Sequence, residues 1–476
     1  MINQTLTKRN KWCYSIGGLR DCMYAFFTMY LIAYIQFTVK ITTAQFAAIS
    51  IIMIICRIWD AIDDPMMATI LENARLKGGK YKPWIAIGAV TNGIVTILMF
   101  TLRLEGWGFV ALFGLLYLLW GMTYTMNDIG YWSMLPSLTN DEKQRTELTT
   151  IMQILSSVGS FVTAGLVPMS AYAVISIIVS LAFVAVQVVT VVGVTEPPRM
   201  PPREEDKISL KKMFSIIRKN DQLLWITVVT FFYYLGSGLL LMFGPNFCNF
   251  EFSYSNGGGI LTLFTVVYAV GTLFGQFTFG FLAKTMRKKK IQTIGTISFT
   301  LGYILLMGFR YILPAEFISI AIAGLLIFFG QSLFYLALLV QMTNTVEYNQ
   351  FISGQKNESV VSSLRSFLAK LTGALQQGIL TLVLVFSGLK ALSENIADLE
   401  IARNVGEITE EFAKTQADLI TASATPNMLL VLRIGMVVVP VVLMIIGYFI
   451  CKKKYALTEE KYDEICEELK SREETK

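Results

Sequence analysis

The run Arg57-Ile-Trp-Asp60-Ala-Ile-Asp63-Asp64-Pro65 stands inside an otherwise apolar stretch of this sequence. An ionisable group in the hydrocarbon of a bilayer costs about 3 kcal/mol or more, so each one there needs a partner, water or a function. At about 100° per residue, Arg57, Asp60, Asp63 and Asp64 share a sector of roughly 120° on one helix. An ion pair between Arg57 and Asp60 would only lock packing, and it leaves the other acids unexplained. Carboxylates one turn apart in a low-dielectric interior cannot all remain ionised alone, so they bind a cation or take up a proton. Asp21 and Asp128 are the other deeply placed acids of the first half, and the second half answers with Lys370. Histidine is absent, which removes the commonest general base and metal ligand and leaves cation chemistry to carboxylates and lysine. The six cysteines form no CxxC pair, so neither zinc nor a disulfide framework is expected, and no cofactor is implied.

The elements that hold these residues must lie in a membrane. Of the 476 residues, 54% are hydrophobic and only 16% charged, too apolar for soluble domains of this length. Apolar segments long enough to span run at about 13–38, 44–71, 83–103, 107–134, 148–170, 172–194, 222–247, 257–283, 291–310, 316–343, 358–389 and 427–451. The expectation is an all-α membrane protein with twelve transmembrane helices. With the N-terminus inside, 29 Lys and Arg fall in inside loops and tails and six outside, which predicts both termini in the cytoplasm of a multi-pass cell-membrane protein. The Pro-rich break at 195–221 divides the spans six and six. Basic loops at 73–82 and 284–290 occupy equivalent places in the two halves, as a parallel repeat requires. The predicted organisation is an N-terminal six-helix bundle (1–194), a cytoplasmic linker (195–221), a C-terminal bundle (222–451) and a cytoplasmic tail (452–476). Residues 390–427 form an external helical or flexible cap, and 457–469 read as an amphipathic helix on the membrane face. Arg433 is expected to snorkel as an interface anchor, and lone tryptophans such as Trp120 to serve packing.

Four stretches carry a family resemblance. These are Arg57 to Pro65, Gly78-Gly-Lys-Tyr-Lys-Pro-Trp84, the run Trp120-Gly-Met-Thr-Tyr-Thr-Met-Asn-Asp-Ile-Gly-Tyr-Trp-Ser-Met-Leu-Pro136, and Thr345-Val-Glu-Tyr348 followed by Asn357-Glu-Ser359 and Lys370. In them the chain resembles the glycoside-pentoside-hexuronide:cation symporters of the major facilitator superfamily over nearly its whole length. The resemblance implies the major facilitator fold, with two pseudo-symmetric six-helix bundles. It also implies a cation site of Asp60, Asp63, Asp64, Thr125 and Asp128, with Asp60, Asp64 and Asp128 as ligands if the ion is Na⁺; Li⁺ or H⁺ are the alternatives. The sugar site so implied takes Arg20, Asp21, Tyr124, Asp128, Trp132, Gln153, Tyr335 and Lys370. Carboxylates accept paired hydrogen bonds from vicinal hydroxyls, and an indole face suits the C–H side of a sugar ring.

Three positions depart from the melibiose-carrying members of that family. Gln153 stands in place of an arginine, Asp63 in place of an asparagine, and Tyr335 in place of a tryptophan. The expected activity is import of a neutral glycoside or pentoside with Na⁺ or H⁺ by alternating access, by a functional monomer that binds no nucleic acid and is not an enzyme. Rival readings are a lysolipid carrier of the same fold, a non-transporting sensor, and an intramembrane Mg²⁺-dependent prenyltransferase. The last needs a second aspartate-rich motif, which the later spans lack.

Overall fold

In hydrocarbon every backbone N–H and C=O must be satisfied within its own segment, so long apolar runs become helices. The computed structural model describes residues 6–38, 43–74, 76–102, 104, 106–139, 141–166, 172–196, 210–354, 358–405 and 407–474, and each of the twelve predicted segments falls on helix there. In the first half, α1 (Lys8–Ile16) passes through a 3-10 turn (Gly17–Arg20) into α2 (Asp21–Thr38). It is followed by α3 (Thr43–Asn73), α4 (Lys82–Thr101), α5 (Gly106–Leu138), α6 (Glu142–Leu166) and α7 (Tyr172–Gly193). The second half has α8 (Leu210–Lys219), α9 (Asp221–Ser237), α10 (Leu239–Phe252), α11 (Tyr254–Leu282), α12 (Lys288–Met307), α13 (Phe317–Ser353) and α14 (Glu358–Ser387). Then come α15 (Leu389–Val405), α16 (Glu410–Ala422), α17 (Pro426–Arg433), α18 (Val439–Lys454) and the tail helix α19 (Glu459–Glu474). Among the described residues, nine helical stretches are long and apolar enough to cross a membrane.

The helices form two bundles. In one, α5 packs on α3 and α4, and α7 on α4; in the other, α13 packs on α11 and α12, and α18 on α9. Small residues set the closest approaches. Gly295 of α12 and Gly330 of α13 face each other so closely that a Cβ on either would collide with the other's carbonyl oxygen, so these two backbones meet with no side chain between them. Large side chains such as Ile94, Leu181, Phe281 and Phe386 stay exposed on the outer surface, where lipid would cover them. Across the bundle interface α14 lies against α3 and α5, and α11 against α6.

One end of the molecule, here called the basic face, carries α1, the 76–81 and 283–287 turns and α19. It is closed by buried ion pairs between the two bundles. Lys80, after α3, bonds Glu358 at the start of α14 at 3.0 Å, and Lys288, after α11, bonds Glu142 at the start of α6 at 2.8 Å. The two bridges occupy equivalent places in the two halves. Between them Arg145 grips Glu347 with both terminal nitrogens at 2.7 Å. It also reaches Asn344, the Tyr462 hydroxyl and the carbonyls of Pro136 and Thr139.

Two expectations are corrected at the ends of the bundles. The tail helix does not lie flat on a membrane face: it packs beneath α13, with Tyr462 buried against Arg145. Arg433 is not a snorkelling anchor, because it is buried and bonds Glu251 at 2.5 and 2.7 Å and the Phe309 carbonyl at 2.9 Å. Of the two alternatives for the 390–427 segment, helical or flexible, the described residues are mainly helical: α15 and α16 pack on the C-terminal bundle, where Asp418 caps the start of α11 by accepting from the N–H and hydroxyl of Ser255. Residues 197–209 of the predicted linker, and the Arg57 side chain, lie outside the described residues.

Candidate functional site

The 3-10 turn at Gly17–Arg20 points two consecutive charges inward where α2 begins. The Arg20 guanidinium is almost fully buried between the rings of Tyr131 and Tyr124, with its carbon 4.7 and 5.8 Å from their centroids. It donates to Asn127 at 2.9 Å and to Asp128. Asp21 accepts from the Ser156 hydroxyl of α6. On α5, Tyr124, Asp128 and Trp132 recur every fourth residue, so they line one face beside Arg20. Tyr124 stacks on Trp120, which stacks on Phe27 at 3.5 Å, giving a three-ring wall.

These residues surround a cavity of about 230 Å³ between the two bundles. Arg20, Asp21, Asp60, Tyr124, Asp128, Trp132 and Lys370 line it, as do Tyr24, Trp120, Ser160, Arg365 and Ser366. Seven expected residues therefore meet there. Gln153 is not among the lining residues; it sits one turn before Ser156 on α6. Tyr335 is not either, being stacked on Tyr233 of α9 with ring centroids 5.8 Å apart.

Beside the cavity, Asp60, Asp63 and Asp64 are buried on α3. The ammonium of Lys370 enters from α14 and donates to Asp64 at 2.8 Å and to Thr125 at 3.2 Å, with Asp60 at 3.9 Å. Thr125 in turn donates to Asp64 at 3.1 Å. Asp63 Oδ2 and Asp64 Oδ2 are buried without a hydrogen-bond partner among the described residues. The acids expected as metal ligands do not converge here: Asp128 faces Arg20 and Arg365, while Asp60 and Asp64 share Lys370. Among the described residues no group of three or more acidic or thiol side chains is arranged to hold a metal.

Sequence reading missed three contributors. Arg365 of α14 places Nη2 2.8 and 3.1 Å from the Asp128 oxygens, and its guanidinium lies over the Trp132 ring at 3.9 Å. It was visible as an intramembrane charge, but nothing local distinguished it from a packing residue. Trp120 and Tyr24 belong to the cavity wall rather than to packing alone, and only their one-turn spacing from Tyr124 and Arg20 signalled it.

The arrangement can bind a polyhydroxylated ligand against aromatic faces and ionised acceptors, beside an acidic pocket for a cation. Comparison with known proteins agrees with the architecture. Residues 13–459 match the MFS/sugar transport protein family. A lactose permease of Lactobacillus delbrueckii subsp. bulgaricus is 24% identical over 96% of this chain and 72% of its own length. A raffinose carrier protein of Pediococcus pentosaceus is 24% identical over 94% of this chain and 69% of its own. A glucuronide carrier protein homolog of Escherichia coli is 23% identical over 99% of this chain and 97% of its own. The chain spans only 56% of a lactose permease of Leuconostoc lactis, so some of these relatives are considerably longer. Among solved structures, the proton:xylose symporter XylE superposes with a TM-score of 0.62 at 11% identity, covering 97% of this chain and 99% of that one. The Escherichia coli fucose:proton symporter gives 0.58 at 12% identity, covering 94% and 98%. Fold, cavity and relatives agree, and the chain belongs to the MFS/sugar transport protein family, as a membrane sugar transporter of the glycoside-pentoside-hexuronide:cation symporter branch rather than an enzyme.

Proposed function

We propose that this transporter imports a neutral glycoside or pentoside together with one monovalent cation, Na⁺ or H⁺. The observation that carries the reading is the charge balance of the site. Five carboxylates, Asp21, Asp60, Asp63, Asp64 and Asp128, are gathered at or beside the cavity. Against them stand Arg20, Arg365 and Lys370. The carboxylates outnumber these cationic groups, so the site has acidic charge to spare for a cation or a proton, and a further anion from a uronate would add to the excess.

In this reading the sugar is held by Arg20, Asp21, Tyr124, Asp128 and Trp132. Gln153 and Tyr335 are nearby positions that tune which sugar fits. The cation takes Asp60, Asp63, Asp64 and Thr125, and Asp128 joins the two sites because changing its charge balance changes what a sugar meets. Residues 1–194 and 222–451 act as two bodies that rock about the cavity, joined through 195–221, with the basic face in the cytoplasm. One co-transported charge gains about 2.3 kcal/mol per 100 mV, equivalent to roughly 50-fold accumulation of a neutral sugar. The lactose permeases and the raffinose carrier among the relatives suggest galactosides as first substrates to try. The deciding experiment is uptake into proteoliposomes from a glycoside panel with Na⁺, Li⁺ and pH varied independently. Concentrative uptake driven by one imposed ion gradient supports the proposal. Binding of a sugar without any counterflow would instead make the protein a sensor.

A further inference from the structure

Two basic side chains of one helix cross the bundle interface and fill both halves of the site. Arg365 and Lys370 stand on α14 of the C-terminal bundle, and all their partners belong to the N-terminal bundle. Arg365 does what a sugar would do: its flat guanidinium covers the Trp132 ring at 3.9 Å and donates to both Asp128 oxygens. Lys370 does what the cation would do: its ammonium sits among Asp64, Thr125 and Asp60. Neither side chain is sealed away, at 14% and 15% exposure, and both border the open cavity.

We propose that Arg365 is a sugar-displaced tether, paired on the same helix with Lys370 as a cation-displaced tether, so that α14 leaves the N-terminal bundle only when both ligands have arrived. This rests on the sugar-and-cation reading above and adds the regulation of that site. A sugar ring landing on Trp132 and hydrogen-bonding Asp128 takes the surface that Arg365 covers. A cation entering among Asp60, Asp64 and Thr125 takes the oxygens that hold Lys370. With one ligand bound, the other tether still joins the bundles, and neither ligand crosses alone. Because each tether competes with its own ligand, removing it tightens that ligand's binding while abolishing the requirement for it.

The test uses the full chain reconstituted in liposomes without any sugar, reading ²²Na⁺ and proton entry with two separate probes. Arg365→Gln is expected to leak one of these cations about tenfold to a hundredfold faster than the wild type, the range set by loss of a charge-assisted hydrogen bond. The same variant should bind lactose or raffinose more tightly by calorimetry in detergent. Wild-type leak in a folded Arg365→Gln protein overturns the proposal, as does weaker sugar binding, which would make Arg365 an ordinary ligand. Arg365→Met, which keeps the length of the stem, is read in the same way. If neither variant folds while Arg365→Lys does, Arg365 is a packing residue and the proposal is wrong. Failure of the wild type to bind any sugar would instead count against the substrate reading, and the sugar-free leak would still decide the tether.

Discussion

Two regions join the bundles through buried arginine–carboxylate bonds, and they differ in what surrounds the bond. At the basic face, Arg145 and Glu347 are 0% and 2% exposed, and six hydrogen bonds saturate both terminal nitrogens of the guanidinium. At the centre, Arg365 and Asp128 border a cavity of about 230 Å³, and the Arg365 side chain is 14% exposed. The chemistry is the same, but the first has no room for a competitor and the second has one the size of a small molecule. A buried ion pair holds a conformation when all its neighbours belong to the protein, and becomes exchangeable when some of them must come from a ligand.

The contrast is broken most severely at the basic face. Glu347→Gln leaves the Arg145 charge buried and half-paired, which should destabilise the closed base by about 3–5 kcal/mol. Thermal unfolding in detergent and spin-label distances across the base measure it, and an unchanged distance distribution would show that the bond is not what keeps this face shut. Next in size, Asp128→Asn should lose sugar binding and ion stimulation together, because its carboxylate meets Arg20 and Arg365 at once. Calorimetry with and without Na⁺ would detect either function surviving alone.

A sharper division is expected between two single acids. Asp21→Asn should weaken sugar binding by about 1.5–3 kcal/mol while cation binding stays measurable, the loss being that of an ionised acceptor. Asp64→Asn should keep sugar exchange and lose accumulation against a gradient. Ion-stimulated sugar binding in Asp64→Asn would refute the separation. The smallest effect belongs to Asp63, which adds a third buried carboxylate to α3 beside Asp60 and Asp64. Asp63→Asn should shift ion dependence from H⁺ toward Na⁺ with sugar affinity unchanged, and transport assays at fixed membrane potential read that preference.

Much of this was legible in the chain. Apolar length fixed the helices, since a segment in hydrocarbon has few alternatives, and the α3 acids announced themselves by being too expensive to lie there without a role. The register of Tyr124, Asp128 and Trp132 followed from helical spacing. What could not be read was pairing across the interface: Arg365 and Arg433 look alike in sequence, each a lone arginine in an apolar run. One meets Asp128 beside the central cavity and the other Glu251 of α10, because partners more than 180 residues away decide it. Trp120 was likewise indistinguishable from a lipid-facing ring until the bundles closed around it.

The bridges Lys80–Glu358 and Lys288–Glu142 have a mechanical consequence. Each is made by a lysine of one half and a glutamate of the other, at equivalent places in the two halves, with the Arg145–Glu347 bond between them. In the rocking motion proposed above, both bridges would be stretched together, so the base would open as a double clasp does, with catches on both sides released in one step, and weakening either one would load the rest.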